Sequence, residues 1–173
     1  LFCNSCVNNE SFEDWFALNY PDQAEFAAIY DDILREFEET KAQFNYADFN
    51  DLLIKMRNEL KNGSAICFDE ILVDEYQDTN SLQGSLIDAF NTKSLFCVGD
   101  FDQSIYAFNG ANIEIIGSFK ERYIGANIYS LNINYRSSAK ILALANKVIA
   151  NNPRLYPKSL EVSRDGEFKS PVL

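Results

Sequence analysis

At 173 residues, with 47% hydrophobic and 24% charged side chains, the sequence has the composition of a soluble globular protein and roughly one domain's length, enough to bury a core without a disulfide or metal staple. It contains no histidine, which excludes Ser-His-Asp and Cys-His catalysis, two-histidine metalloprotease sites and Cys₂His₂ zinc fingers. The net charge of −11 divides into 21 acidic and 6 basic side chains over residues 1–110 and 5 acidic and 9 basic over 111–173, a balance that argues against free-standing electrostatic binding of nucleic acid.

The N-terminus, Leu1-Phe2-Cys3-Asn4, lacks the basic flank and apolar stretch of a signal peptide, and no apolar run reaches the roughly 18 to 20 residues that span a bilayer, so a cytoplasmic protein with no membrane role is expected. The only methionine is Met56, which leads to the expectation that the sequence is a piece of something longer. Cys3 and Cys6 form a CxxC, but no second close pair completes a Cys₄ site, and no structural metal is expected there. Cys67 and Cys97 stand singly in apolar runs, the usual setting of a buried thiol.

Residues 22–44 place Phe26, Ile29, Tyr30, Ile33, Leu34 and Phe37 at helical spacing and predict one long amphipathic helix with an acidic outer face. Asp48 is the expected N-cap of a second helix with Phe49, Leu52, Leu53, Met56 and Leu60 on one stripe, ending at Asn62-Gly63. Both stripes are expected to be core contacts. From residue 65 short apolar runs alternate with helical patterns. Ile66-Cys67-Phe68 is interrupted by Asp69-Glu70 and resumes as Ile71-Leu72-Val73. A helix carrying Leu82, Leu86, Ala89 and Phe90 follows behind Thr79, Asn80 or Ser81 as cap. Next come a strand at Leu95–Val98, a helix at about 112–122, a strand at about 127–133, and a helix holding Ile141, Leu142, Ala145, Val148 and Ile149 that ends at Asn151-Asn152-Pro153. The alternation predicts parallel strands covered by helices.

Three polar clusters fall where a strand runs out toward its next helix: Asp74 to Thr79, Gly99 to Gln103, and Asn134 to Ser138. In open parallel sheets the ligand crevice lies outside the carboxyl ends of the strands, so all three are expected to meet on one edge. Asp74-Glu75 suits a magnesium–nucleotide site, one carboxylate for the metal and its neighbour for the attacking water, although a lone acidic pair is more readily a charged loop. Asp100-Phe101-Asp102-Gln103-Ser104 fits the DxDx[ST] loop of aspartate-using phosphohydrolases. As a calcium loop it fails, with Ile105 at the required glycine and Ala111 at the required glutamate. Arg136 after a strand suits a phosphate, and a lone surface arginine is the ordinary alternative.

Taken together and in order, DEYQDTN at 74–80, VGDFDQSIYAFNGA at 98–111 and NYRSS at 134–138 closely resemble the Walker B, third and fourth motifs of UvrD/Rep/PcrA-type superfamily 1 DNA helicases, with YADFNDLL at 46–53 similar to the segment before Walker B. The resemblance covers roughly residues 22–160. It implies an α/β fold: a partial RecA-like P-loop NTPase core, a parallel sheet with flanking helices, plus an N-terminal helical segment. Residues 1–45 would be the end of an inserted helical subdomain, 46–123 the Walker B half of the first motor domain, and 124–173 the beginning of the second.

By the same resemblance Asp74 would bind Mg²⁺, with Glu75 beside it polarising the hydrolytic water of ATP. Gln103 would sense the γ-phosphate, Tyr135 would stack on adenine, and Arg136 would act as an arginine finger. Tyr106 and Phe108, with Asn109, would contact single-stranded DNA, the aromatics by sequence-tolerant stacking. Plain core packing is the alternative for the two rings, and Gln77 and Asp78 would brace the motif. The parent would be an ATP-dependent 3′→5′ helicase unwinding duplex DNA in repair or replication.

Two departures stand out. Phe108-Asn109 replaces the family's usual Trp-Arg, which should weaken DNA contact, and no GxxxxGK[ST] loop occurs anywhere in the 173 residues. The sequence is therefore expected to be an internal helicase fragment, itself inactive, weak or null in DNA binding, and prone to self-association. Two rivals remain. One is a phosphohydrolase with Asp100 as nucleophile and Asp102 as acid–base, which needs a downstream lysine and an acidic pair around magnesium; no convincing acidic pair follows. The other is an inert interaction module.

Overall fold

The computed structural model describes residues 11–63, 65–152 and 158–163. Cys3 and Cys6 lie outside them. The chain opens with α1 (Phe12–Asn19), capped by Ser11, whose hydroxyl accepts from the Asp14 amide at 3.1 Å. A 3₁₀ turn over Pro21–Phe26 leads into α2 (Ala27–Phe44). The helix predicted for 22–44 is thus split, since Pro21 fixes the entry and the first six residues wind more tightly. Trp15, Phe16 and Ala27 make a small buried cluster with Phe12 against it. The expected core stripe of α2 is not buried: Phe26, Ile29, Tyr30, Ile33 and Phe37 are all exposed. An 18-residue amphipathic helix needs a facing element along its whole length, and among the described residues the main packing against α2 comes from α1 and the turn after it.

α2 ends at Asn45 in the left-handed conformation, φ 54°, which lets the chain turn back. α3 (Phe49–Lys61) starts with a reciprocal box in which Asp48 accepts from the Asp51 amide and Asp51 accepts from the Asp48 amide. It stops at Asn62, with Gly63 at φ 85°. At the corner between α2 and α3 the buried Lys41 ammonium binds Glu38, Asp48 and Asp51 at 2.7, 3.1 and 2.9 Å. Of the α3 stripe, Leu60 is buried whereas Phe49 and Leu52 are exposed.

The central unit is β1 (Phe68–Val73), α4 (Ser81–Ala89) and β2 (Thr92–Cys97), with the strands parallel and in register from Phe68 opposite Thr92 to Val73 opposite Cys97. Asp69 and Glu70, expected to interrupt the strand, lie inside it. Their side chains, on opposite faces of the strand, pair across with Lys93 at 2.9 Å and Ser94 at 3.3 Å, all four exposed. Asn80 and Gln83 form the capping box of α4, and α3 packs on α4. Cys67 is exposed, contrary to expectation, while Cys97 is half-buried and its thiol is pushed up to about 11 by that burial.

Downstream, the helix expected at 112–122 is two short ones, α5 (Ile113–Gly117) and α6 (Phe119–Arg122), parted at Gly117-Ser118. Of the strand expected at 127–133 only the end forms, as β3 (Ile133–Asn134), paired in parallel with β4 (Glu161–Val162). α7 (Ala139–Ile149) lies between them in sequence and packs on β4. The two strand pairs are separate sheets among the described residues. No helix there is long and apolar enough to cross a membrane.

Candidate functional site

The first two clusters meet at the carboxyl ends of β1 and β2. Beyond the last register pair, Val98 donates to the Val73 carbonyl at 2.8 Å and Tyr76 donates to the Val98 carbonyl at 2.9 Å, so the strands stay locked as they become loops. Between these bonds lie Asp74 and Glu75. Glu75 sits at φ 49°, an uncommon left-handed conformation for a glutamate, and turns the chain sharply into the 3₁₀ turn Tyr76–Asp78. The Asp74 carboxylate accepts the Glu75 amide at 2.9 Å, and both acidic side chains stay exposed to solvent.

Gln77 joins the clusters. It is 2% exposed, donates from Nε2 to Glu75 Oε2 at 2.8 Å, and accepts at Oε1 from the Asp100 amide at 2.9 Å. Ser104 adds a bond to the Gln77 carbonyl at 3.4 Å. Gly99 is the close approach that permits this: a Cβ there would stand 3.0 Å from Gln77 Oε1 and 3.1 Å from Ile116 Cδ1. Tyr76 anchors the turn from behind, 1% exposed, edge-on to Phe119 and within 3.3 Å of Arg122, which itself pairs with Asp88. Asp78 has one oxygen buried without a hydrogen-bond partner, and its other is 3.4 Å from the Gln77 amide.

Asp100 caps the turn Phe101–Gln103. Its Oδ1 accepts the Asp102 amide at 3.0 Å and its Oδ2 accepts Gln103 Nε2 at 2.7 Å. Lys158, from the segment leading into β4, closes an ion pair on Asp100 and stands 4.0 Å from Asp102. Burial pulls the Asp100 carboxyl upward, and the bonds from Lys158 and Gln103 overcome it and hold the group below the ordinary aspartate value. Lys158 was not legible as a site residue. Its contact with Asp100 joins residues 58 apart in sequence, which no local pattern announces.

Tyr106 and Phe108 flank the next turn with ring centroids 5.8 Å apart. Phe108 is 79% and Tyr106 43% exposed, so neither ring serves as core packing in this chain. The side chain of Asn109 lies outside what the structure describes. The third cluster does not share the sheet edge of the first two: Tyr135 and Arg136 follow β3 in the second sheet, both exposed. There Asn134 Oδ1 accepts from the amides of Arg136 at 3.0 Å and Ser137 at 2.7 Å, shaping the turn into α7.

Asp74 and Glu75 offer hard, exposed carboxylate oxygens of the kind Mg²⁺ prefers. Among the described residues no group of three or more acidic, cysteine or histidine side chains gathers to hold a metal by itself. That arrangement fits a magnesium carried largely by nucleotide phosphates and does not fit an all-protein cage. The lysine required of an Asp100 phosphohydrolase is present, but among the described residues no acidic pair gathers with Asp100, and both Asp100 oxygens are already engaged.

The model of the UvrD/REP helicase N-terminal domain matches residues 3–124. The chain belongs to this helicase family. It is 44% identical over 135 residues to a probable DNA helicase II homolog of Mycoplasma capricolum, covering 73% of this chain and 18% of that protein. To a putative ATP-dependent DNA helicase of Bacillus subtilis it is 37% identical over 149 residues, 82% of this chain and 20% of the relative. To the ATP-dependent DNA helicase PcrA of Staphylococcus aureus it is 40% identical over 142 residues, 78% and 19%. The chain thus spans about a fifth of the length of these relatives. The UvrD/REP match implies a RecA-like region.

Proposed function

We propose that this chain is the Walker B to fourth-motif part of an ATP-driven DNA helicase, in which the carboxyl ends of β1 and β2 form the hydrolytic face. The observation that carries this reading is the Gln77 bridge, which ties Glu75 to the Asp100 loop and so makes one rigid unit of two motifs 25 residues apart. In this reading Asp74 holds Mg²⁺, which neutralises phosphate charge when bound. Glu75, aimed by Gln77, orients the attacking water and takes its proton. Gln103, tethered to Asp100, meets the γ-phosphate. Tyr135 stacks on the adenine, and Arg136 reaches the phosphates when the second sheet closes on the first.

Tyr106 and Phe108, exposed side by side one turn beyond Gln103, grip single-stranded DNA by stacking. The phosphate loop that completes the nucleotide cradle is absent from these 173 residues, so turnover belongs to a longer motor containing this segment. The test is a pair of substitutions in such a full-length helicase. Arg136→Ala is expected to lower kcat about 10³-fold with single-stranded DNA affinity retained. Phe108→Ala is expected to weaken DNA binding by about 1 to 3 kcal/mol. The same phenotype from both, or normal hydrolysis by Arg136→Ala, would overturn the division of roles.

A further inference from the structure

We infer that Lys158 is a positioning residue for Gln103, acting through the Asp100 carboxylate. A carboxylate has two equivalent oxygens and turns readily about its last bond. Here the two are made different. Oδ1 faces the Lys158 ammonium and the Asp102 amide, which leaves Oδ2 to accept the Gln103 amide at 2.7 Å. Gln103 is otherwise an exposed side chain on a three-residue turn, and this bond holds its amide at the strand ends. The Lys158, Asp100 and Asp102 side chains are only 18%, 22% and 13% exposed, so solvent screens the trio weakly. Without the ammonium, two carboxylates two residues apart would repel across that shielded space.

Lys158 also comes from the other sheet. It lies three residues before β4, and β4 pairs with β3, which runs directly into Tyr135 and Arg136. The bond therefore makes the orientation of Gln103 depend on where the Arg136-bearing sheet stands. This rests on the assignment of Gln103 to the γ-phosphate, and the experiment separates the two claims.

In a full-length helicase carrying this segment, single-stranded-DNA-stimulated hydrolysis is measured for Lys158→Met, Lys158→Arg and Glu75→Gln. Lys158→Met is expected to lower kcat about 10- to 100-fold, the scale of a misplaced reacting group, with the KM for ATP changed less than about twofold. Lys158→Arg, which keeps the charge, is expected to recover most of the rate. On the 173-residue chain itself, the Gln103 side-chain amide resonances are expected to shift in Lys158→Met and return in Lys158→Arg. If Lys158→Met does not fold, Lys158→Gln is read in its place against the same criteria. Unchanged kcat and unchanged Gln103 resonances, beside a Glu75→Gln variant that no longer turns over, would overturn the role of Lys158 alone. Full turnover by Glu75→Gln would overturn the hydrolytic reading beneath it.

Discussion

Lys41 shows how much a single charge carries in a thin structure. Burial pulls its ammonium toward deprotonation, but bonds from Glu38, Asp51 and Asp48 outweigh that and raise it above its ordinary 10.5. The Asp48 carboxyl is held below 3.8 chiefly by the Asp51 amide, and the Asp51 carboxyl chiefly by Lys41. The carboxylates therefore stabilise the corner above about pH 4 and lose that contribution as the pH falls through their depressed values, while Lys41 contributes up to about pH 10 and is lost above it. Lys41→Met is expected to cost about 1 to 3 kcal/mol at pH 7, less than a fully buried pair because the carboxylates are partly solvated. Urea midpoints compared at pH 7 and at about pH 2.5 check it: the gap should shrink in acid, and an equal gap at both would count against the assignment. The capping role of Asp48 was legible in the sequence from its place before an apolar run. The partnership with Lys41 was not, because it joins residues on two helices across a turn whose left-handed Asn45 no local pattern announces.

Among the elements, the turn from Asp74 to Asp78 and the Asp100 loop are held together by backbone closeness as much as by side chains. Gly99→Ala would place a methyl 3.0 Å from Gln77 Oε1 and 3.2 Å from its backbone nitrogen. Gln77 is bonded at both ends of its amide and has no room to yield, so a destabilisation of about 1 to 3 kcal/mol is expected, with faster hydrogen exchange at the Asp100 amide. Wild-type stability together with wild-type exchange there would contradict it. Period and caps made α3, α4 and α7 readable from the sequence, since each helix is set by neighbours three or four residues away. The strand expected at 127–133 failed for the opposite reason: a strand exists only where a partner pairs with it, and among the described residues that pairing covers Ile133 and Asn134.

For the molecule as a whole, the meeting of the first two clusters followed from parallel-strand topology and was foreseeable. The third cluster was expected on the same edge and stands instead on a second sheet, tied to the first through Lys158 and Asp100. Apolar periodicity marks which residues want burial, but it does not say whether the covering element is present. Leu72 and Phe96, on adjoining strands of a parallel pair, are 69% and 55% exposed, a condition parallel sheets ordinarily avoid by carrying helices on both faces. The central claim is that Asp74 and Glu75, set by Gln77, form the hydrolytic end of an ATP-driven motor. Steady-state ATP hydrolysis with and without single-stranded DNA, in a full-length helicase carrying Glu75→Gln, tests it most directly. The expected result is a kcat lowered about 10³-fold or more with ATP still bound; DNA-stimulated turnover at the wild-type rate would contradict it.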